Sequence, residues 1–282
     1  MGERDYRIER MSLAEVGVAI DWAAREGWNP GLNDAACFYV IDPKGFFSGM
    51  LDGRIIASGS VPIYDAQFAF IGLYIVEPAH RGQGYGLALT RAMFDYVGDR
   101  NAGLDGVEVM AGRYTRLGFR TAHRSVRQSV TPKNIKTVAE EIVPLGDVPF
   151  AELAAYDRRH FFAPRETFLK AWITQPQAVA LGFIDADRLK GYAVLRKCRA
   201  GYKIGPLFAD QSEIAEGLFD ALCNHAFGQP VFIDVPEPNQ SASKIAAKHN
   251  MTPIFACQRM YLRGDPGLPL QSIYGITSFE AG

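Results

Sequence analysis

The chain has 282 residues, of which 48% are hydrophobic, and its 30 Lys and Arg residues nearly balance 31 Asp and Glu residues. This length accommodates one or two domains, and this apolar fraction excludes wholesale disorder. A formal net charge of −1 lacks the long-range field that is typical of a general nucleic-acid binder or a polybasic membrane protein. We therefore predict neither nucleic acid nor a membrane as a partner.

The first 130 residues predict a mixed α/β domain with some antiparallel strand pairing. Apolar periodicity predicts a helix over Leu13–Glu26, which Ser12 can cap. Asp52-Gly53 predicts a hairpin turn, and the apolar run Gln67–Val76 predicts a strand that is buried on both faces. The remaining predicted elements are strands over 6–10, 46–51, 54–62, 104–110 and 123–130 and a helix over 85–97.

The second half follows a predicted connection at 131–144 and repeats the order of elements seen in the first. Its predicted helices cover 150–159, 165–174, 212–227 and 241–249, and its predicted strands cover 179–185, 188–198, 201–209, 231–235 and 253–262. A repeat of this length indicates duplication of a domain rather than a solenoid. We therefore predict two domains, 1–130 and 131–282, each with a mixed sheet.

The most informative segment is the glycine-rich turn Gly82–Gly86, between the strand that ends at Val76 and the helix that begins at Tyr85. Alternate glycines let the backbone adopt left-handed conformations and let a ligand come close. The helix N-terminus behind them adds free N–H groups and a partial positive charge, which favours a pyrophosphate. The segment lacks the Lys-Ser/Thr of nucleotide triphosphate loops and the spacing of dinucleotide-binding turns, which excludes both of these classes.

Two motifs together resemble the GNAT superfamily of N-acetyltransferases. The first is Arg81-Gly-Gln-Gly-Tyr-Gly86, after a strand that Pro78 ends, and the second is Tyr114-Thr-Arg-Leu-Gly-Phe119. Further segments resemble a two-domain group in which a GNAT-like domain follows the catalytic one; they are 26–34, 103–106, 163–165, 202–210, 232–239 and 274–280. The resemblance implies tandem GNAT folds and acetyl transfer from acetyl-CoA to the amine of a small metabolite. A non-catalytic acetyl-CoA sensor and an acyl transferase similar to mycothiol synthase remain alternatives.

The resemblance also implies roles for individual residues. The pantetheine arm would pair with the strand backbone, next to a bulge that splays the sheet, and the pyrophosphate would lie on the glycine turn. Tyr114 would protonate the leaving thiolate. The residues that this assigns to the cofactor are Tyr74, Ile75, Val76, Arg81, Gly82, Gln83, Gly84, Tyr85, Gly86 and Leu87.

The general base stays unassigned at this point. An alkyl amine with a pKa near ~10.4 must lose a proton before it attacks. The position that matches the family's glutamate is Phe70, which cannot accept a proton. Four carboxylates (Glu77, Glu108, Asp105 and Asp34) and a water chain remain open as alternatives.

The second half lacks the cofactor turn and is expected to shape the acceptor pocket instead. Where the glycine turn would follow Phe208, residues 209–214 contain no glycine, and Asp210 and Glu213 would repel a pyrophosphate. Asn239 has a second interpretation as a helix cap. The candidate acceptor-binding residues are Trp28, Asn29, Asp34, Asp234 and Asn239.

The charged start of the chain is followed by no apolar stretch, and the four cysteines form no CxxC pair. This pattern predicts reduced, mostly buried thiols in a cytoplasmic protein without a metal site. The sequence leaves the oligomeric state open.

Overall fold

The computed structural model describes residues 5–282, so the first four residues of the charged start lie outside the described chain. The strands are β1 (Tyr6–Arg10), β2 (Phe46–Leu51), β3 (Arg54–Ser60), β4 (Phe68–Val76), β5 (Asn101–Val107), β6 (Arg120–Val130), β7 (Ile142–Pro144), β8 (Ala178–Asp185), β9 (Arg188–Lys197), β10 (Tyr202–Ala209), β11 (Val231–Pro236), β12 (Thr252–Tyr261) and β13 (Ile273–Gly275). The helices are α1 (Leu13–Arg25), α2 (Asp34–Tyr39), α3 (Tyr85–Val97), α4 (Ala111–Arg116), α5 (Phe150–Arg158), α6 (Glu166–Thr174), α7 (Ser212–His225) and α8 (Gln240–Lys248).

The strands form one mixed sheet, and its order shows the predicted repeat. The order is β1-β2-β3-β4-β5-β12-β6-β11-β10-β9-β8-β7, with β13 paired to β10. Two of its strand pairs are parallel, β4 with β5 and β10 with β11. Each parallel pair is joined by one long helix, α3 in the first half and α7 in the second, as parallel strands require a crossover.

The two halves exchange a strand in the middle of this sheet. Strand β12, from the second half, lies between β5 and β6 of the first half and pairs antiparallel with both. Strand β6, in turn, lies between β12 and β11. The backbone hydrogen bonds of the sheet are therefore continuous across the boundary near residue 130, and that boundary stays a prediction.

Local signals predicted most elements well. Ser12 caps α1 through a complete capping box with Glu15, and the hairpin at Asp52-Gly53 is confirmed. The strand predicted over 104–110 instead covers Asn101–Val107, because residues 108–110 form a 3-10 turn. Four elements were missed, and each has only three or six residues: α2, α4, β7 and β13.

Buried ion pairs join the two halves. The pairs Arg127–Asp234, Arg196–Asp34 and Arg259–Asp105 each connect one half to the other, with side chains at most 2% exposed. Removing one partner of such a pair leaves an uncompensated buried charge, which costs roughly 3–5 kcal/mol. The free energy of unfolding of each half is thus coupled to the presence of the other.

All four cysteines are buried and free, as predicted: Cys37, Cys198, Cys223 and Cys257. Among the described residues, the helices are all too short or too polar to cross a bilayer.

Candidate active site

Strands β4 and β5 separate part-way along their length. Their parallel pairing ends at Ile71 and Leu104, although β4 continues to Val76. The register of β4 against β3 shifts at the same place, and Leu73 has a φ of 47°. The Ser58 hydroxyl donates a hydrogen bond of 2.9 Å to the carbonyl of Leu73 and holds this bulge. The expected bulge is confirmed, and it opens the sheet towards the start of α3.

The glycine turn has the backbone geometry that its sequence predicts. Gly82 and Gly84 have φ values of 76° and 90°, and a Cβ on either would meet no atom within 4 Å. Gly86 has another role, because a Cβ there would lie 2.5 Å from the hydroxyl of Tyr74. That hydroxyl donates a 2.7 Å hydrogen bond to the carbonyl of Gly86. The turn is therefore open on its outer side and locked against β4 on its inner side.

A cavity of about 590 Å³ lies between these elements. Its walls come from the bulged end of β4, the glycine turn, α4, β12 and the C-terminal segment. We call it the central cavity. The predicted site residues that line it are Trp28, Tyr74, Ile75, Val76, Arg81, Gly82, Gly84, Gly86, Leu87 and Tyr114.

Tyr114 lies on α4 and presents a neutral hydroxyl. Its ring packs edge-on against Phe119, with ring centroids 6.4 Å apart, and rests on Gly106, where a Cβ would be 2.6 Å from the ring. Burial raises the pKa of Tyr114 to about 12, and the neighbouring Tyr74 and Cys257 add to this. Among the described residues, no hydrogen-bond partner is found for its hydroxyl. The group therefore stays protonated at neutral pH and is available to a ligand in the central cavity.

Three predicted cofactor residues also hold the turn in place. The Arg81 guanidinium donates to the carbonyl of Val76 at 2.8 Å and pairs with Glu26. The side chain of Gln83 donates to the carbonyl of Ala79 at 2.9 Å. Tyr85 packs on Tyr6, with ring centroids 4.6 Å apart. The side chains of Gln83 and Tyr85 are outside the cavity wall, so only their backbone positions contribute to the turn.

Of the predicted acceptor residues, only Trp28 lines the central cavity. Asn29 bonds through its side chain to both backbone groups of Ala200. Asp34 is fully buried and accepts from the backbone N–H of Gly31 as well as from Arg196.

The other two acceptor candidates are also structural in this fold. Asp234 accepts two hydrogen bonds from Arg127, at 2.6 and 2.8 Å. Asn239 caps α8 by accepting from the N–H of Ala242 at 2.9 Å, which agrees with its second interpretation. Short polar residues serve caps, turns and ion pairs equally well, so their sequence pattern could not separate these roles from ligand binding.

The sequence candidates for the base are all engaged or remote. Asp105 lines the cavity but accepts two hydrogen bonds from Arg259, at 2.8 and 2.6 Å. Glu77 lies 3.4 Å from His80, and Glu108 pairs with Arg124 at 2.7 Å. Neither of these two carboxylates lines the cavity.

Sequence reasoning missed the part of the wall that comes from the far end of the chain. Phe255 and Cys257 of β12 and Phe279 and Glu280 of the C-terminal segment all line the central cavity. Glu280 is 3% exposed, and neither of its carboxylate oxygens has a hydrogen-bond partner. Segment 274–280 is part of the family resemblance, but no local signal assigns it or β12 to the site. The pairing of β12 with β5 and the contact of Glu280 with Gly72 join residues that are far apart in the sequence.

The turn after β10 differs from the cofactor turn, as the sequence predicted. Helix α7 begins at Ser212, directly after Gln211, whose backbone is extended. Asp210 accepts a hydrogen bond of 2.9 Å from the hydroxyl of Tyr156. The second half thus places a carboxylate where the first half places open glycines.

One arrangement on the second half brings three potential metal ligands together, although the sequence predicts no metal site. Glu216, Asp220 and His249 place their ligand atoms within 4.8 Å of one another. The first two are one helical turn apart on α7, and His249 follows α8, so the sequence spacing concealed the cluster. The Lys248 ammonium lies 2.7 Å from Glu216 and supplies the countercharge that a cation would otherwise provide. We assign no metal to it.

Both halves match known protein families. The pattern of the acetyltransferase (GNAT) family matches residues 15–119, and that of an acetyltransferase (GNAT) domain matches residues 153–275. The chain belongs to the GNAT superfamily of acetyltransferases. It is a tandem GNAT protein, and the first match contains both the bulged strand and the glycine turn.

Two relatives of this GNAT protein match most of its length. Holothin acyltransferase from Pseudoalteromonas sp. (strain SANK 73390) is 29% identical over 279 residues, which cover 96% of this chain and 92% of that protein. The uncharacterized N-acetyltransferase YitH of Bacillus subtilis (strain 168) is 28% identical over 222 residues, or 76% of this chain and 77% of that protein.

Solved structures show the same fold at lower identity. A proposed acetyltransferase from Pyrococcus horikoshii superimposes with a TM-score of 0.84 at 21% identity, over 98% of this chain and 96% of that one. A tandem GNAT protein from the clavulanic acid biosynthesis pathway gives 0.66 at 14% identity, over 93% and 100%. These structures show the mixed α/β fold, and the two family matches with the acyltransferase relative make the protein an acyltransferase of the GNAT type.

Proposed function

We propose that this protein is an acetyl-CoA-dependent N-acetyltransferase that acetylates the amine of a small metabolite by direct attack on the thioester. One observation carries the proposal: a single cavity connects the open glycine turn, the unpaired edge of β4 and the hydroxyl of Tyr114. These are the three features that a phosphate-bearing thioester donor needs.

Backbone groups of α3 and β4 form the proposed binding site for the acetyl donor. The first N–H groups of α3 have no acceptor inside the helix, and the helix dipole favours a negative group at this end. Gly82 and Gly84 leave room for a pyrophosphate there. Beyond Ile71, the edge of β4 that faces β5 is free to bind an amide-rich arm as an added strand would. The thioester would then lie near the bulge at Leu73.

The leaving group determines the role of Tyr114. When the C–S bond breaks, negative charge develops on a sulfur whose thiol has a pKa near ~8.5. The neutral Tyr114 hydroxyl, with its raised pKa of about 12, donates a hydrogen bond to that sulfur and helps to return a proton to it. Such donation contributes typically about 10²–10⁴-fold to a rate.

The acceptor side comes from the second half. Phe255, Cys257 and Phe279 give the wall opposite β4 an apolar character, which suits a small organic molecule. The similarity to a protein called holothin acyltransferase supports a small-molecule acceptor. The four free cysteines support the predicted cytoplasmic location, which we keep as part of the proposal.

The experiment that tests the proposal is release of CoA from acetyl-CoA in the presence of a panel of primary amines. We expect release that depends on the amine, together with calorimetric binding of one acetyl-CoA per chain. Longer acyl-CoA donors in the same assay determine whether the transferred group is acetyl. Tight acetyl-CoA binding with no release for any amine would instead support the sensor.

A further inference from the structure

The C-terminal segment, residues 273–282, is buried along its whole length between the two halves. Its N–H at Ile276 donates to the carbonyl of Asp234 at 3.0 Å. Further on, the hydroxyl of Tyr64, from the first half, donates to the carbonyl of Ala281 at 2.6 Å. The Ser278 hydroxyl accepts from the N–H groups of Glu280 and Ala281, at 3.2 and 3.0 Å. The position of Glu280 is therefore fixed by contacts from both sides.

Glu280 lies against the point where the sheet opens. Its backbone packs directly on Gly72, so closely that a Cβ on Gly72 would collide with the carbonyl of Glu280. Gly72 immediately precedes the bulge at Leu73. A donor that has its pyrophosphate on the glycine turn and its arm along β4 would bring its thioester to this end of the strand. Glu280 thus lies on the wall beside the expected reacting carbon.

The central cavity is lined by three carboxylates among the described residues: Glu26, Asp105 and Glu280. Glu26 pairs with Arg81, and Asp105 accepts two hydrogen bonds from Arg259. Glu280 differs from both, because its two oxygens have no hydrogen-bond partner. A buried acceptor without a donor costs free energy. A molecule in the cavity that donates a hydrogen bond to it removes this cost and therefore binds more favourably.

The positive charges around Glu280 are mostly paired with carboxylates other than Glu280. Arg127 and Arg196 both interact with it electrostatically, but each already has a carboxylate partner. Arg127 uses two nitrogens for its partner, whereas Arg196 uses only Nε, and its two terminal nitrogens have no hydrogen-bond partner among the described residues. Lys203 is the remaining cation, buried, with its ammonium 3.3 Å from the carbonyl of Trp28. Lys203 provides the countercharge for a carboxylate at Glu280, while its distance from the carboxylate exceeds that of an ion pair. The carboxylate is thus compensated in charge but free to accept hydrogen bonds.

We propose that Glu280 is the general base of the transfer reaction and takes a proton from the acceptor amine, directly or through one water. This inference rests on the proposed N-acetyltransferase function. One proton passes from the ammonium to Glu280, and the nitrogen lone pair forms the bond to the carbonyl carbon. The C–S bond breaks with its electron pair on sulfur. Nitrogen then loses a second proton as the amide forms, and the thiolate takes up one proton, so these two cancel. Glu280 returns the first proton to solvent.

The test compares wild type with Glu280→Gln and Glu280→Asp, using a primary alkyl amine that is active in the panel and an O-alkylhydroxylamine. The alkyl amine enters as a cation, whereas the hydroxylamine is already neutral at neutral pH. We expect Glu280→Gln to lower kcat with the alkyl amine by roughly 10²-fold or more. The fall with the hydroxylamine should be much smaller, and Glu280→Asp should keep part of the alkyl amine rate. Acetyl-CoA affinity should stay within about a factor of two in both variants, because neither touches the glycine turn.

Glu108→Gln is the matched control, because this carboxylate is near the site in sequence but pairs with Arg124 outside the cavity. It should behave as wild type with both amines. Equal losses for the two amines in Glu280→Gln, or an unchanged rate, would overturn the assignment. If Glu280→Gln does not fold, Glu280→Asp still decides, since a displaced base must affect the alkyl amine more. Wild type that transfers to no amine refutes the transfer function itself, whereas active wild type with a fully active variant refutes only the role of Glu280.

Discussion

Gly84 is the residue on which the proposed donor site depends most directly. Its φ of 90° belongs to a region that side chains rarely adopt, and the space beside it is open. We predict that Gly84→Asp abolishes acetyl-CoA binding while the protein stays folded. The substitution puts a negative charge where a pyrophosphate would lie and strains the turn. Calorimetric titration with acetyl-CoA and a circular dichroism melt measure the two effects.

A second glycine supplies the control for that experiment. Gly53 has a φ of 80° and equally open surroundings, but it lies in the β2–β3 turn. Gly53→Asp should therefore show a comparable loss of stability with normal acetyl-CoA binding. Wild-type affinity in folded Gly84→Asp would move the donor site away from this turn.

Replacing Tyr114 tests its chemical role separately from its packing role. Tyr114→Phe removes the hydroxyl and keeps the ring against Phe119 and Gly106, so the melting temperature should change little. Because no hydroxyl would donate a proton to the developing thiolate, kcat should fall by roughly 10²-fold with the acetyl-CoA KM nearly unchanged. Steady-state kinetics measured with one active amine give both parameters.

The raised pKa of Tyr114 also predicts how turnover depends on pH in the alkaline range. Its hydroxyl keeps its proton up to a pH of about 12, so turnover should not decline through loss of this proton between pH 8 and 10. Tyr39→Phe is a suitable control, since that hydroxyl lies outside the cavity and 3.5 Å from the carbonyl of Met11. An unaltered kcat in Tyr114→Phe would leave Tyr114 with a packing role only.

At the scale of single elements, β6 contains a histidine that makes stability depend on pH. Burial, with a contribution from Arg259, lowers the pKa of His123 to about 3. The native state therefore keeps this imidazole neutral while the unfolded chain takes up a proton below pH 6.5. Stability is fully present above that value and is lost as the pH falls towards 3. One proton gives a slope of about 1.4 kcal/mol per pH unit.

Urea unfolding at several pH values between 7 and 4 measures this slope. His123→Gln should make the free energy of unfolding less dependent on pH in this range. His160, whose pKa is also lowered by burial, keeps a part of the dependence. His225→Gln removes an exposed imidazole and is the comparison. If the two variants show equal slopes, the neutral state of His123 does not contribute to the acid sensitivity.

Elements with strong local signals were predictable, and those that depend on distant contacts were not. Asp52-Gly53 sets a hairpin by turn geometry, and α3 has the predicted bounds because its glycine turn and its good helix formers agree. Helices α2 and α4 have six residues each, too few for a periodic pattern. The proposed donor half of the site is one continuous motif and was therefore visible in the sequence. Glu280 reaches it through the C-terminal segment, whose contact with Gly72 no local pattern records.

At the scale of the whole molecule, the two GNAT domains are unequal copies that share one sheet. The first contains the open glycine turn, and the second contributes β12 and the C-terminal segment to the cavity of the first. The lack of a glycine turn in the second copy therefore does not make that copy dispensable. The second domain supplies a strand, three ion-pair partners and one side of the cavity wall.

This shared construction predicts that a chain ending at Thr131 does not form a working first domain. Without β12, strands β5 and β6 lose the partner that lies between them, and Asp105, Arg127 and Asp34 lose their buried partners. Unpaired strand edges and an uncovered apolar face favour aggregation. We expect the shortened chain to aggregate and to bind acetyl-CoA poorly, and co-expression with a separate chain of residues 132–282 to restore both solubility and transfer. Size-exclusion chromatography and the amine assay measure the two outcomes. A soluble, monomeric chain of residues 1–131 with full transfer activity would show that the second domain is not needed for the site.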